Sequence, residues 1–204
     1  MDLQSFWRKK LGKYADAEWS KQPSIFVKEV EKYFPKNCSI LELGSGLGQD
    51  SNYLASKGYS VLATDISEYS KEIATTEFKL VDMAKPLPFE NESFDVIYSH
   101  LGIHYFEKKR TQKLFFEMRN ILKNGGILAL LVNSTDDPEI PEYQELEKDY
   151  YVDDVGLKKR FFSTESLKEM LDGFEIILLD NLGVSRKDEI KNVRGLIKLV
   201  ARKI

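Results

Sequence analysis

The sequence predicts an α/β fold with a doubly wound, mostly parallel sheet and helices on both faces. Two observations carry this prediction. Residues 38–132 alternate short apolar runs with segments of helical periodicity, and the first apolar run ends in the glycine-rich stretch GSGLG at residues 44–48. Short strands that are apolar throughout are typical of a parallel sheet covered on both faces, and right-handed crossovers place the intervening helices on those two faces.

The elements follow this alternation in order. Strands are expected near 38–43, 60–64, 78–81, 94–99 and 126–132, and helices near 49–57, 67–75 and 108–122. Two helical patterns within residues 1–35 precede the first strand, and apolar runs at 174–179 and 195–201 predict two closing strands. Ligands in such sheets bind beyond the carboxyl ends of the strands.

The turn after the first strand has the features of a nucleotide site. Glycine is needed where a strand reverses into a helix through positive φ and where a ligand approaches the main chain. The following helix directs its unpaired N–H groups at whatever lies over the turn. Asp65 ends the next apolar run about twenty residues after Gly44, which is the spacing of the ribose-binding acid in nucleotide-binding α/β folds.

The third glycine separates two classes of nucleotide site. A dinucleotide fingerprint G-x-G-x-x-G would place its third glycine at position 49, which is Gln49. The spacing G-x-G-x-G, with Glu42 two residues before Gly44, resembles motif I of the class I S-adenosylmethionine-dependent methyltransferases. The runs PLPFENESFDVI at 86–97 and LKNGG at 122–126 resemble later motifs of that family, with Asn124 where the family has proline.

The resemblance implies a Rossmann-like sheet of seven strands whose last strand is antiparallel, and S-adenosylmethionine as cofactor with S-adenosylhomocysteine as product. It also implies a cofactor-binding set made of Glu42, Gly44, Gly46, Asp65, Ile66, Asp82, Met83 and Ser99. In this set Asp65 would bind both ribose hydroxyls. Ile66 would pack on adenine, and Asp82 would accept a hydrogen bond from the adenine amino group.

Both histidines of the chain follow the fourth strand, where the family places substrate and catalytic groups. His100 and His104 are therefore candidate general bases, since histidine accepts a proton near neutral pH. The alternatives stay open: methyl transfer can proceed by alignment alone, and either ring can be a packing residue. Two histidines with no third ligand nearby in sequence do not predict a metal site.

Two segments flank this core, and the second of them, together with the loop 98–106, belongs to the parts that vary most within the family and should determine the acceptor. Residues 1–35 are expected to form a helical cap over the cofactor, with Tyr14 and Trp19 lining the pocket or merely docking the segment. Residues 133–162 are expected to form a substrate lid. Aromatic side chains of this insertion could stack a flat substrate, and Lys158, Lys159 and Arg160 could bind an anionic one or lie on a solvated helix face.

Composition limits the range of functions. A formal charge of −3 makes a large nucleic-acid partner improbable, and 204 residues suit a single domain. Cys38 is the only cysteine, which fits a reducing compartment, and neither a signal peptide nor a membrane span is apparent. We therefore expect a cytoplasmic monomer or homodimer.

The predicted activity is S_N2 transfer of a methyl group to a small-molecule acceptor. The resemblance extends to small-molecule enzymes of the ubiquinone and menaquinone pathways and of the tellurite and thiopurine type. No Asn-Pro-Pro-Tyr-like motif follows the fourth strand, which disfavours DNA bases and protein glutamine as acceptors. A methyltransferase acting on protein or RNA, a catalytically silent binding subunit and a nicotinamide-dependent oxidoreductase remain as alternatives.

Overall fold

The computed structural model describes residues 2–138, 140–183 and 195–204. The chain begins with helix α1 (Leu3–Tyr14), a 3₁₀ turn (Glu18–Lys21), helix α2 (Ile25–Val30) and a second 3₁₀ turn (Glu31–Tyr33). Side chains cap both helices, because Asp2 accepts a hydrogen bond from the Gln4 backbone N–H and Ser24 accepts one from that of Val27. The two predicted helical patterns are therefore present.

The central part of the chain alternates strands and helices as predicted. In order, these are β1 (Ser39–Leu43), α3 (Gln49–Ser56), β2 (Ser60–Asp65), α4 (Glu68–Ile73), β3 (Glu77–Leu80), β4 (Phe94–His100), α5 (Lys108–Ile121) and β5 (Leu122–Asn133). Strand β5 starts four residues earlier than predicted, because Leu122 already pairs with Phe94 ahead of a register shift.

The C-terminal part contains a small second sheet and the closing strands. Its elements are β6 (Gln144–Glu147), β7 (Tyr150–Val152), β8 (Lys158–Arg160), α6 (Thr164–Met170), β9 (Phe174–Asp180) and β10 (Leu196–Lys203). The predicted polar linker between the last two strands lies mainly at 184–194, outside the described residues.

The main sheet has seven strands in the order β3-β2-β1-β4-β5-β10-β9. The first five are parallel, whereas β10 inserts between β5 and β9 and is antiparallel to both. The predicted fold class is therefore confirmed. The winding reverses between β1 and β4, so the carboxyl ends of these neighbouring strands form the crevice where such sheets bind ligands.

Each face of the sheet has its own apolar core. One cluster packs α5 and α6 on the sheet, and the other packs α2 and α3 on the opposite face. Fully buried Phe115 and Phe26 are members of the two clusters. Cys38 is buried in the second cluster. Within the described ranges, no helix combines the length and apolar character that crossing a bilayer requires.

The structure of residues 133–162 contradicts one of the two interpretations of the charged run at 158–160, namely that it lies on a solvated helix face. The expected helix face at Lys158–Arg160 is wrong, because these residues form β8, the edge of an antiparallel sheet in the order β6-β7-β8. The alternation of side chains along this strand leaves Lys158 exposed and Arg160 buried.

Candidate active site

A cavity of about 750 Å³ lies at the carboxyl ends of β1 to β4. One wall consists of the residues that follow these strands, and we name it the strand-end wall: Gly44–Leu47, Asp65, Ile66, Val81–Met83 and His100–Gly102. The opposite wall, the N-terminal wall, is formed by residues of α1, the first 3₁₀ turn and α2: Leu3, Trp7, Leu11, Tyr14, Glu18, Trp19, Gln22–Ile25, Lys28 and Glu29. The cavity is therefore enclosed by segments far apart in sequence.

Seven of the ten predicted site residues line this cavity. They are Gly44, Gly46, Asp65, Ile66, Asp82, Met83 and His100. The side chains of Glu42, Ser99 and His104 are not part of its lining. Ser99 is fully buried and its hydroxyl donates a 2.6 Å hydrogen bond to the Leu43 carbonyl, so it joins β4 to β1 behind the cavity.

The glycine turn brings two backbone segments into contact. Gly44 and Gly46 have φ values of +77° and +56°, a region that glycine tolerates and side chains rarely adopt. A Cβ on Gly44 would lie 2.9 Å from the Gly102 Cα, and a Cβ on Gly102 would lie 2.5 Å from the Leu43 carbonyl oxygen. Gly102 was not among the residues predicted from the sequence. At the same crowded point of the backbone, its neighbour Leu101 has a φ of +57°, which is unusual for a residue with a side chain.

Asp65 connects the turn to the end of β2. One carboxylate oxygen accepts a 2.9 Å hydrogen bond from the Gly46 backbone N–H, and the other accepts one of 2.9 Å from that of Ser67. Burial raises the pKa of Asp65, while these backbone hydrogen bonds act in the opposite direction. Each carboxylate oxygen can accept a second hydrogen bond, so the group keeps acceptor capacity for a ligand.

Asp82 and Met83 lie on a turn that α5 holds in place. Asp82 accepts a 2.9 Å hydrogen bond from the Ala84 backbone N–H. Arg110 of α5 donates to the carbonyl oxygens of Met83 at 2.7 Å and of Lys85 at 2.8 Å. Arg110 was not predicted, because side chains that bind backbone carbonyls leave no motif in the sequence.

Comparison with known proteins identifies this architecture. Residues 41–130 match the protein family described as "Methyltransferase domain". This range contains the glycine turn, Asp65, Asp82 and His100. Over residues 41–130 the match confirms the methyltransferase family predicted from the sequence.

Curated relatives of the methyltransferase domain are distant and differ in length. An uncharacterized protein of Methanocaldococcus jannaschii is 29% identical over 83% of this chain and 68% of its own length. A demethylmenaquinone methyltransferase of Clavibacter sepedonicus is 34% identical over 50% of this chain. The aligned region spans only 43% of the Clavibacter enzyme, so the likeness is restricted to part of that protein.

Solved structures extend the likeness over nearly the whole chain. The 1,6-didemethyltoxoflavin-N1-methyltransferase of Burkholderia thailandensis, solved with 1,6-didemethyltoxoflavin and S-adenosylhomocysteine, covers 99% of this chain with a TM-score of 0.74 and 16% identity. The match spans 85% of the Burkholderia chain. A Mesorhizobium loti S-adenosylmethionine-dependent methyltransferase covers 86% of this chain and 96% of its own, with a TM-score of 0.68 and 19% identity. At these identities the likeness establishes a shared fold.

Below the glycine turn, the methyltransferase domain contains a buried acidic pair. Glu42 is 2% exposed and accepts a short hydrogen bond from the Ser51 hydroxyl. Burial and the neighbouring Asp50 raise the pKa of Glu42. Glu42 therefore lies under the turn, where a direct contact with a ligand in the cavity would require the turn to move.

Asp50, which the sequence analysis did not single out, joins the two walls of the cavity. It is 3% exposed and accepts three hydrogen bonds, from the Ser24 backbone N–H at 2.6 Å, the Ser24 hydroxyl at 2.7 Å and the Tyr98 hydroxyl at 2.6 Å. Burial, together with the charge of Asp50, raises the pKa of Tyr98 well above its ordinary value. Asp50 thus fixes the start of α2 to α3 and β4.

The two histidines occupy different environments. His100 lines the cavity at the end of β4. His104 is 2% exposed; its ring centroid lies 4.4 Å from that of Tyr105, and its backbone carbonyl accepts a 2.7 Å hydrogen bond from the Arg160 backbone N–H. The structure does not bring the His104 side chain to the cavity, so the prediction of a catalytic role there finds no geometric support.

Aromatic side chains hold the N-terminal wall against the domain. The rings of Trp7 and Tyr105 meet edge to face with their centroids 5.2 Å apart, and those of Tyr14 and Trp19 do so at 5.4 Å. Tyr14 and Trp19 line the cavity, which agrees with the sequence interpretation that places them in the pocket.

The insertion supports the loop after β4 instead of covering the cavity. None of its described residues lines the cavity. Arg160 donates from Nε to the Phe106 carbonyl at 3.1 Å, and the Tyr150 hydroxyl donates to the Tyr105 carbonyl at 3.3 Å. Arg160 also forms a short ion pair with Glu147. The expectation that Arg160 binds an anionic substrate is therefore not supported, since its charge is already paired.

Proposed function

We propose that the methyltransferase domain binds S-adenosylmethionine in the main cavity and transfers its methyl group to a small-molecule acceptor. The observation that carries the proposal is the convergence on one cavity of the glycine turn, Asp65 and Asp82 from three successive strand ends. A volume of about 750 Å³ falls within the range of small-molecule sites.

The donor and acceptor groups of the strand-end wall fit the cofactor. Ribose hydroxyls and the adenine amino group are hydrogen-bond donors, and the carboxylates of Asp65 and Asp82 only accept. Gly44 and Gly46 leave room for the amino-acid portion, because a side chain at either position would project from a strained backbone. Ile66 and Met83 supply apolar surface beside the acidic groups.

The N-terminal wall favours a compact acceptor with apolar surface. Trp7, Tyr14 and Trp19 line this wall, and they enclose the space that faces the strand ends. Two of the similar proteins bear names that give non-polymeric acceptors, demethylmenaquinone and 1,6-didemethyltoxoflavin. These names support a small-molecule acceptor for this chain as well.

Catalysis would depend chiefly on alignment and exclusion of water. When bound, the cofactor supplies an electrophilic methyl group on a positively charged sulfur. The two walls would hold the acceptor's nucleophilic atom in line with that methyl group, which is the geometry that such transfers require. We assign His100 as the group that accepts a proton from an O–H, N–H or S–H nucleophile, because it lines the cavity and histidine is the side chain best suited to general base catalysis.

Calorimetric titration of the purified protein with S-adenosylhomocysteine, with NADH as the control ligand, tests the cofactor assignment. We expect S-adenosylhomocysteine alone to bind, at micromolar concentration. Binding of NADH would contradict the proposal, because it would show that the glycine turn accommodates a dinucleotide. Binding of neither would favour a methyltransferase-like subunit without cofactor. Acceptors can then be screened by the mass of the methylated product.

A further inference from the structure

A second cavity, of about 610 Å³, adjoins the first and is not used by the proposed cofactor site. Leu3, Tyr105 and Phe106 border both cavities, so the two cavities adjoin at these three side chains. The rest of its lining comes from the first turns of α5, from Ala84 and from residues of the insertion.

The lining of the second cavity is basic although the chain as a whole has a formal charge of −3. Exposed Lys109 and Lys113 of α5 and exposed Lys158 of β8 line it. Among the ion pairs between residues that the structure describes, none involves these three lysines. Glu107 is the one acidic residue in the described lining.

The remaining charges nearby are paired with each other. Arg110 donates to both carboxylate oxygens of Glu117, at 2.7 and 2.8 Å. Glu147 accepts a 2.6 Å hydrogen bond from the Lys108 backbone N–H and pairs with Arg160. With these charges paired, the lining retains three lysines on two separate elements of structure against one carboxylate, that of Glu107, and its net charge is positive.

The insertion fixes the distance between these two elements. The ladder of β7 and β8 pairs Lys158 with Val152, and Arg160 attaches β8 to the loop after β4. Lys158 is therefore placed opposite α5 by backbone pairing and by a buried side chain two residues away. The insertion does not line the main cavity. Its structural role is instead to hold Lys158 at the second cavity.

We infer that the second cavity binds a phosphate group of the methyl acceptor while the nucleophilic atom of the acceptor lies in the main cavity. Ammonium groups act as point charges that suit a doubly charged phosphate. The concave shape and the small number of lysines fit one phosphate group better than a nucleic-acid backbone, which requires a longer basic surface. This inference rests on the proposed function.

Calorimetric titration of the full chain with phenyl phosphate tests the inference, with phenol as the uncharged probe. The test variant is K109Q/K113Q/K158Q. The control variant K36Q/K71Q/K168Q removes the same charge from exposed lysines that line neither cavity. We expect the test variant to lose about tenfold or more in phenyl phosphate affinity and the control to match the unaltered protein. Phenol binding and S-adenosylhomocysteine binding should be equal in all three proteins.

Equal affinity of both variants for phenyl phosphate would overturn the phosphate site, as would failure of the unaltered protein to bind this probe. If S-adenosylhomocysteine does not bind, the proposed function fails, and with it the assignment of the phosphate to an acceptor, whatever the lysines do. A short single-stranded RNA that displaces phenyl phosphate at a much lower concentration would overturn the inference in favour of a macromolecular acceptor.

Discussion

The two walls of the main cavity are built by different physical means. The strand-end wall presents glycine backbone and carboxylates beside apolar residues, and its Asp65 accepts hydrogen bonds from Gly46 and Ser67. The N-terminal wall presents aromatic rings beside a few charged side chains; its Trp7 ring lies 5.2 Å from that of Tyr105, and its Tyr14 and Trp19 rings lie 5.4 Å apart. Directional hydrogen bonds suit one fixed ligand, whereas aromatic surfaces accept ligands of several shapes. We therefore attribute cofactor binding to the first wall and acceptor choice to the second.

Asp50 connects the N-terminal wall to β4, because its carboxylate accepts hydrogen bonds from Ser24 on one side and from Tyr98 on the other. We expect Asp50→Ala to lower the free energy of unfolding by about 3 kcal/mol, since three hydrogen bonds to a charged group are lost and the buried Tyr98 hydroxyl loses its short hydrogen bond to the carboxylate. Urea unfolding measures this change. Exposed Asp154→Ala is the matched control, and equal stability of the two variants would contradict the connection.

Asp65→Ala tests the strand-end wall itself. We expect S-adenosylhomocysteine to bind more weakly by about 1.5–3 kcal/mol, because the carboxylate would no longer accept hydrogen bonds from the ribose. The free energy of unfolding should also fall, as the Gly46 and Ser67 N–H groups lose their acceptor. Calorimetry separates the two effects if it is performed where both proteins are fully folded. Unchanged affinity would remove Asp65 from the cofactor site.

The acidic pair beneath the strand-end wall predicts a pH dependence. Because the pKa of Glu42 is higher in the folded protein than in the unfolded chain, the folded state binds more protons between these two values. The stability that this group contributes is complete at low pH and is lost as pH rises through the folded pKa. With the pKa of Glu42 raised to about 8, we expect the ligand-free protein to lose roughly 3 kcal/mol of unfolding free energy between pH 5 and pH 8.

The isosteric variant Glu42→Gln provides the control for this pH dependence, since its amide does not titrate. Chemical unfolding at several pH values should give a flatter profile for the variant than for the unaltered protein. Parallel profiles would show that Glu42 does not change its protonation in this range.

Trp7→Ala probes the N-terminal wall and should have the smallest effect on the cofactor. Loss of the edge contact with Tyr105 removes about 1 kcal/mol of docking energy from α1. We expect S-adenosylhomocysteine affinity to change by less than about twofold, whereas limited proteolysis within residues 1–35 becomes faster. A large loss of cofactor affinity would show that the N-terminal wall also binds the cofactor, which would contradict the assignment of cofactor binding to the strand-end wall alone.

Local sequence patterns were sufficient for most of the fold. Strand and helix periodicity with the glycine turn predicted the five parallel strands, and the family resemblance implied the antiparallel insertion of β10. They failed at residues 158–160, where a short charged run in a strand looks the same as a helix face. Periodicity cannot distinguish these states when a strand has only three residues.

Local sequence patterns locate the glycine turn, Asp65 and Asp82, because each follows a recognisable strand and parallel strands end at the same edge. Contacts such as those of Gly102 with Gly44, Asp50 with Ser24 and Trp7 with Tyr105 arise only when the chain is folded. Tertiary structure also placed His100 in the cavity and His104 behind it. These contacts join residues whose separation along the chain has no local signature, since they depend on how the helices and loops pack around the finished sheet.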